Sequence, residues 1–195
     1  MKIGRVTLID PAMAAKQKGF DHELEKVISK VFFEPSEYVV RHVANQHDSI
    51  KSALVELCDD EKCPLVLTFG GVGPAAADIM PDVTMEILQR HLPGFGEVMR
   101  WVSYERSKVS ALSRAEAGIR GTSLVINMPA RPRPTQFCFK VLQEPIAEAL
   151  EQVSGAKPGL RGDEIEVPID KYLPFLKKIR PRPEPGGPKH PIIGE

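Results

Sequence analysis

Several features that would settle a function at once are missing from this sequence. Its 26 Lys and Arg are matched by 26 Asp and Glu. With no excess positive charge, the chain is not expected to bind nucleic acid, an association driven largely by phosphate neutralisation. No apolar run approaches the ~18 residues of a membrane span, so no membrane partner is expected either. There are three cysteines, Cys58, Cys63 and Cys138. The odd count argues against a disulfide framework and for free thiols in a reducing compartment. No second Cys or His pair accompanies Cys58 and Cys63 at zinc spacing, which argues against a structural zinc site. The opening stretch MKIGRVTLIDP has no apolar h-region, so a secretory signal is not expected and a cytoplasmic location is. Internal repeats are not visible.

What is present suits a globular core with a tail. The chain has 195 residues, of which 42% belong to the set AVILMFWYC, enough to bury a sizeable core. Ile3 to Ile9 is short and β-prone, and Asp10-Pro11 ends it. Phe20, Leu24, Val27, Ile28, Val31 and Phe32 then recur at the spacing of one helix face. Tyr38-Val39-Val40 with Val43 reads as a second strand. Asp48 is placed to cap a helix carrying Ile50, Ala53, Leu54, Leu57 and Cys58. Pro64 opens a third strand, Leu65 to Phe69, apolar enough to be buried on both faces. Helical stretches over about 82–90 and 96–106 follow, separated by Pro93-Gly94. Ser123 to Met128 is another strand. Thr135 is placed to cap a last helix, in which Pro145 predicts a kink or break. The alternation predicts a three-layer α/β domain with a largely parallel, mixed central sheet over residues 1–154. Residues 155–195 form a C-terminal extension. Its end holds Pro181, Pro183, Pro185, Pro188 and Pro191 with a local basic bias, and is expected to be extended from about 180. It reads as a solvated tail or as a docking arm for a neighbouring subunit.

The most informative segment is LVLTFGGVGPAAADIMPD, residues 65–82. A buried strand ends in Gly70-Gly71-Val72-Gly73-Pro74, and ligands of open α/β sheets sit beyond the carboxyl ends of strands. Glycines there let the backbone approach a ligand, and successive N–H groups can cradle an anion. The other reading is a tight turn without a ligand. A Walker A loop is excluded because no Lys and Ser/Thr follow the glycines. The letters of a dinucleotide fingerprint are matched, but Asp78 and Pro81 interrupt the helix that it should open, and this is not the first strand.

Thr68-Phe69-Gly70-Gly71-Val72-Gly73-Pro74 and Asp78-Ile79-Met80-Pro81-Asp82 together resemble the TTGGTGP…DVTP(E/D) motif of the Mog/MoaB molybdopterin-binding family. Pro93-Gly94-Phe95-Gly96-Glu97 is similar to its PGFGE segment and Ala111-Leu112-Ser113-Arg114 to its SR segment. Ile126-Asn127-Met128-Pro129 is similar to its N-(L/M)-P-G strand end. The motifs stand in family order over residues 1–153 and lean toward the adenylyltransferase branch. The resemblance implies a three-layer α/β domain and a homotrimer. It implies molybdenum cofactor biosynthesis, with molybdopterin and ATP as substrates, Mg²⁺ as cofactor and pyrophosphate as product. It also implies a further partner, the protein that inserts molybdenum. The alternative is a MoaB-like carrier or scaffold that binds molybdopterin without catalysis. A different ligand on the same scaffold is a third reading.

On that resemblance, Gly70, Gly71, Gly73, Ser113, Arg114, Asn127 and Pro129 are the expected substrate-binding residues. Asp78 is the expected catalytic residue and metal ligand, or else a helix cap. Arg114 suits a bidentate phosphate clamp, or else an ion pair. Ser113 binds substrate or merely caps a helix. Asn45 falls where the family's adenylyltransferases carry a second acidic residue, and is expected at the catalytic position without the charge. Asp48 either compensates or caps, and His47 is expected to be exposed. Other departures are Pro11 in place of an Arg, Phe69 and Val72 in place of Thr, and Ala130 in place of Gly. Arg131 and Arg133 lie outside the family motif. They either supply replacement positive charge or are solvated.

Overall fold

The computed structural model describes residues 1–9, 17–29 and 37–159. These belong to one compact unit, Met1–Ile165; the other unit, Glu166–Glu195, falls outside the described residues. So do Pro11, Val31, Phe32 and the Pro-rich tail. The elements in chain order are β1 (Lys2–Leu8), α1 (Gln17–Ser29), β2 (Glu37–Val43), α2 (His47–Val55), β3 (Leu65–Phe69), α3 (Met80–Ile87), β4 (Arg90–His91), α4 (Pro93–Tyr104), β5 (Ala117–Arg120), β6 (Ser123–Met128) and α5 (Pro132–Ser154). A π-helical turn, Glu56–Asp60, prolongs α2, and a 3₁₀ turn, Lys108–Leu112, follows α4.

The strands form one sheet in the order β2-β1-β3-β6-β5-β4. β1 pairs in parallel with β2 and β3, and β3 with β6. β5 and β4 add antiparallel pairs at one edge. The expected mixed, largely parallel sheet is therefore present. Alternation along the central strands assigns the two faces. Leu65, Leu67 and Phe69 of β3 and Leu124, Ile126 and Met128 of β6 join Leu24 and Ile28 of α1, Met99 of α4 and Phe139, Leu142 and Ile146 of α5 in one core. Val66 and Val125 face the other way, against Ile50 and Leu54 of α2 and Met80, Val83 and Ile87 of α3. The sheet is thus the middle of three layers, as both buried faces of β3 and β6 demand.

Several local expectations are corrected. The residue before α2 is Gln46, and Asp48 lies inside the first turn. Arg131 precedes α5, so Thr135 is not its cap. The Thr135 hydroxyl instead donates to Pro129 O at 2.8 Å and is 2.9 Å from Arg131 O, tying the end of β6 to the helix that follows. Pro132 occupies the first turn of α5, where its missing N–H costs nothing. Pro93 does the same for α4, so Pro93-Gly94 begins that helix rather than dividing two. The stretch from 88 to 91 divides them, and Arg90–His91 is strand, not helix. α5 runs through Pro145 without a break.

Candidate functional site

The carboxyl ends of β3 and β6 are neighbours because the two strands pair in parallel, with Thr68 opposite Asn127 and Phe69 opposite Met128. The chain leaves β3 through Gly70 and Gly71, with φ of +96° and +64°. The positive φ at Gly71 favours glycine, and a Cβ there would lie 2.9 Å from Leu8 Cδ1 and push that methyl aside. Gly71 O accepts from Met80 N at 3.2 Å, which closes the loop onto the start of α3.

Within this loop Asp78 is folded back on the glycine turn. Its Oδ2 accepts from Ala75 N at 3.1 Å, and its own N–H donates to Ala75 O at 2.8 Å. A Cβ at Gly73 would stand 2.5 Å from Oδ2, so the glycine admits the carboxylate. Ile79, not Asp78, precedes α3, and Asp78 is not that helix's cap. Asn45 Nδ2 donates to Ala77 O at 2.8 Å, bringing the end of β2 to the same loop. Arg114 N donates to Val72 O at 2.7 Å. Its guanidinium donates to Asp78 O at 3.3 Å and pairs with Asp82 at the start of α3. Gly70, Gly71, Gly73, Asn45, Asp78 and Arg114 therefore surround one loop.

Asn127 is placed differently. It is fully buried in the face toward α3, where its amide donates to Thr68 Oγ1 at 3.0 Å and Thr84 Oγ1 at 2.8 Å. Its Oδ1 accepts from Glu116 N at 3.2 Å. The side chain thereby fixes β6 against β3 and α3. Ser113 ends the 3₁₀ turn, and its Oγ accepts from Ala115 N at 3.3 Å.

Ser113 and Pro129 belong to a neighbouring cavity of about 480 Å³ between α4, the 3₁₀ turn and the start of α5. Val72, Met99, Phe137 and Cys138 give it apolar walls, and Arg100, Arg106, Arg131 and Arg133 also line it. This volume suits a small organic ligand. The sequence did not reveal the cavity, because its walls come from distant segments. Phe69 does not reach it and is packed in the core. All three cysteine thiols are buried and pushed up to about 11, which keeps them protonated and inert at neutral pH.

On the α2 side, His47 Nδ1 lies 2.9 Å from Asp48 Oδ1 and Nε2 2.9 Å from Glu86 Oε1. Those two carboxylates raise the His47 pKa, and His47 and Lys51 together lower that of Glu86. His47 is about half exposed, as expected, and it bridges α2 to α3. Asp48 is spent on it rather than on a helix cap.

Comparison with known proteins agrees with this geometry. The molybdopterin adenylyltransferase of Helicobacter pylori (strain ATCC 700392 / 26695) is 38% identical over 132 residues, covering 68% of this chain and 75% of that protein. The molybdopterin adenylyltransferase of Escherichia coli (strain K12) is 36% identical over 181 residues, covering 80% of this chain and 92% of that protein. The crystal structure of the molybdopterin biosynthesis enzyme MoaB from Thermus thermophilus superposes with a TM-score of 0.69 at 30% identity, covering 80% of this chain and 97% of that one. A family model described as the probable molybdopterin binding domain matches residues 22–149, which include the glycine loop, Asp78, Arg114 and the end of β6. The chain therefore belongs to the molybdopterin-binding-domain family.

Proposed function

We propose that the protein is a molybdopterin adenylyltransferase of molybdenum cofactor biosynthesis. The observation that carries this is the 36–38% identity to proteins of that name across the domain that holds the site. In the reaction an oxygen of the molybdopterin phosphate attacks the α-phosphorus of ATP. The bond to the bridging oxygen breaks, and pyrophosphate leaves with the electron pair. Such transfers depend on positioning and on neutralising charge.

The residues suit those tasks. The Gly70–Gly73 turn offers backbone N–H groups to an anion. Arg114 can share its guanidinium between Asp82 and a phosphate. Asn127 is a support of the floor rather than a ligand-facing group. Asp78 leaves Oδ1 without a protein hydrogen bond among the described residues. No group of three or more His, Cys, Asp or Glu gathers as a metal site among the described residues. That donor set fits Mg²⁺ arriving on ATP and taking one protein carboxylate, with phosphate and water oxygens as the remaining ligands. Bound there, the cation would offset phosphate charge.

The wider reading includes a domain of residues 1–154 with a Pro-rich extension, a homotrimer, a cytoplasmic location and delivery of product to a molybdenum-insertion protein. Free buried thiols suit a reducing compartment. No helix among the described residues is long and apolar enough to cross a membrane. Self-association is supported by Trp101 and Tyr104 of α4, each 43% exposed, with Val109 and Leu112 beside them.

The test is incubation of the protein with molybdopterin and MgATP, with assay of pyrophosphate and adenylylated product. Stoichiometric release of both is expected. Molybdopterin binding without release would return the chain to the carrier reading.

A further inference from the structure

Four arginines line the cavity beside the glycine loop, and among the described residues no Asp or Glu does. Two of the four are engaged. Arg100 donates to Ala115 O at 2.9 Å and Ser113 O at 3.3 Å. The Arg106 guanidinium stacks 3.9 Å from the centre of the Phe137 ring. Arg131 and Arg133 are exposed at the rim, and neither side chain has a hydrogen bond, ion pair or ring contact among the described residues.

Their position is set by the sheet. They follow β6, whose carboxyl end lies beside that of β3. A Cβ placed on Gly70 would be 3.9 Å from Ala130 Cβ, so the segment that carries the arginines adjoins the glycine loop directly. The nearby cation Arg114, which does not line the cavity, is already paired with Asp82. Arg100 also lies 3.9 Å from Glu116 Oε1, so Arg131 and Arg133 are the uncompensated pair among the described residues, and with the apolar walls they select a ligand with a flat, weakly polar body and an anionic end. Guanidinium groups suit a phosphate, which accepts paired N–H donors.

We infer that Arg131 and Arg133 form an anion subsite at the rim of the cavity, which takes the phosphate monoester end of the pterin substrate while its ring system lies against Val72, Met99 and Phe137. This rests on the adenylyltransferase reading and adds to it. The two arginines are positioning residues for the attacking phosphate. They supply donors that this chain lacks in the glycine loop, where Val72 has no hydroxyl. ATP then belongs on the Asp78 and Arg114 side. The two anions meet at the glycine turn.

The experiment uses the full chain with R131Q, R133Q, the double variant, the conservative R131K/R133K pair, and R90Q on the distant edge strand β4 as a control for net charge. Dissociation constants are measured for molybdopterin, for its dephosphorylated form and for inorganic phosphate, together with separate KM values for molybdopterin and ATP. Each arginine removed should weaken molybdopterin binding about tenfold, as expected for a charge-assisted hydrogen bond. KM for ATP should stay within about twofold, the dephosphorylated pterin should bind all variants equally, and lysine should restore part of the loss. Unchanged molybdopterin affinity in the double variant overturns the inference and leaves the adenylyltransferase reading standing. Weakened binding of the dephosphorylated pterin in step with molybdopterin also overturns it, because a general disturbance of the cavity then accounts for both. If the unaltered protein fails to bind molybdopterin, the functional reading falls and inorganic phosphate decides the subsite. Phosphate that raises the melting temperature of the unaltered protein and of R90Q, but not of the double variant, supports the subsite; equal shifts in all three overturn it.

Discussion

Asn45 shows how one side chain can be read in two ways. By resemblance it is a missing carboxylate. In the structure it is a donor, 2.8 Å from Ala77 O, holding the loop that carries Asp78. An aspartate there would set a carboxylate against a carbonyl oxygen, and neither can donate. Asn45→Asp is therefore expected to lower pyrophosphate release, and to lose about 1 kcal/mol of stability in urea unfolding. A gain in turnover would instead mean that the absent charge limits the rate. Asp78→Asn retains an oxygen to accept from Ala75 N–H and loses the charge. It should reduce kcat by ~10²-fold or more, with molybdopterin affinity nearly unchanged by calorimetry. His47 offers a test in pH. Its pKa is raised from the ordinary 6.5 by Asp48 and Glu86, so its contribution is complete below that value and fades as pH rises through the folded value. Glu86, lowered from 4.5, acts in the opposite sense: its contribution is present above 4.5 and is lost as pH falls through the folded value. The α2–α3 tie is thus strongest between about 4.5 and 6.5 and weakens above. NMR titration of His47 should give a midpoint above 6.5, and Glu86→Gln should bring it down.

At the scale of the element, α5 carries an evident flaw. Pro145 is exposed in the middle of a 23-residue helix and gives no N–H to the turn before it. Proline inside a helix costs about 3 kcal/mol relative to alanine, and the apolar stripe of Phe139, Leu142, Ile146 and Leu150 holds the helix together regardless. Pro145→Ala should raise the unfolding free energy by about 1–3 kcal/mol, read from the urea midpoint. The same competition explains what was legible in the sequence. β3 stood out as a nearly continuous apolar run, and β1 and β6 as short β-prone stretches. β4 and β5 did not: one has two residues, and the other, Ala117–Arg120, contains a glycine. Sequence rules favoured Asp48 and Thr135 as caps, yet Gln46 and Arg131 stand there without side-chain capping bonds. Pro132 was the better signal for where α5 starts. For the site, the glycine loop and Asp78 were readable as one contiguous motif. The cavity was not, since Val72, Met99 and Phe137 meet only after the sheet has formed.

For the whole molecule, the exposed side chains of α4 set the question of assembly. Val98, Trp101 and Tyr104 are spaced to share one helix face, and Val109 and Leu112 of the 3₁₀ turn that follows are 69% and 53% exposed. Val109 also lines the cavity, so a neighbouring copy seated on Val109 would border that cavity. Sedimentation equilibrium should give three times the 21.6 kDa of one chain. Trp101→Glu should shift the mass toward a single chain, because an unpaired charge in an apolar interface costs several kcal/mol. An unaltered protein that sediments as one chain would remove the trimer.

The sheet order also constrains how a ribosome can deliver this protein. β3 is made early and pairs with β1, but its other neighbour, β6, emerges only after β4, α4 and β5. Until then one edge of β3 presents bare N–H and C=O groups on a strand whose side chains are all destined for burial. Such an edge invites pairing with a foreign strand. The nascent chain is therefore adhesive before it can bind anything useful, and its yield in rapid synthesis should depend on chaperones that shield that edge until β6 arrives.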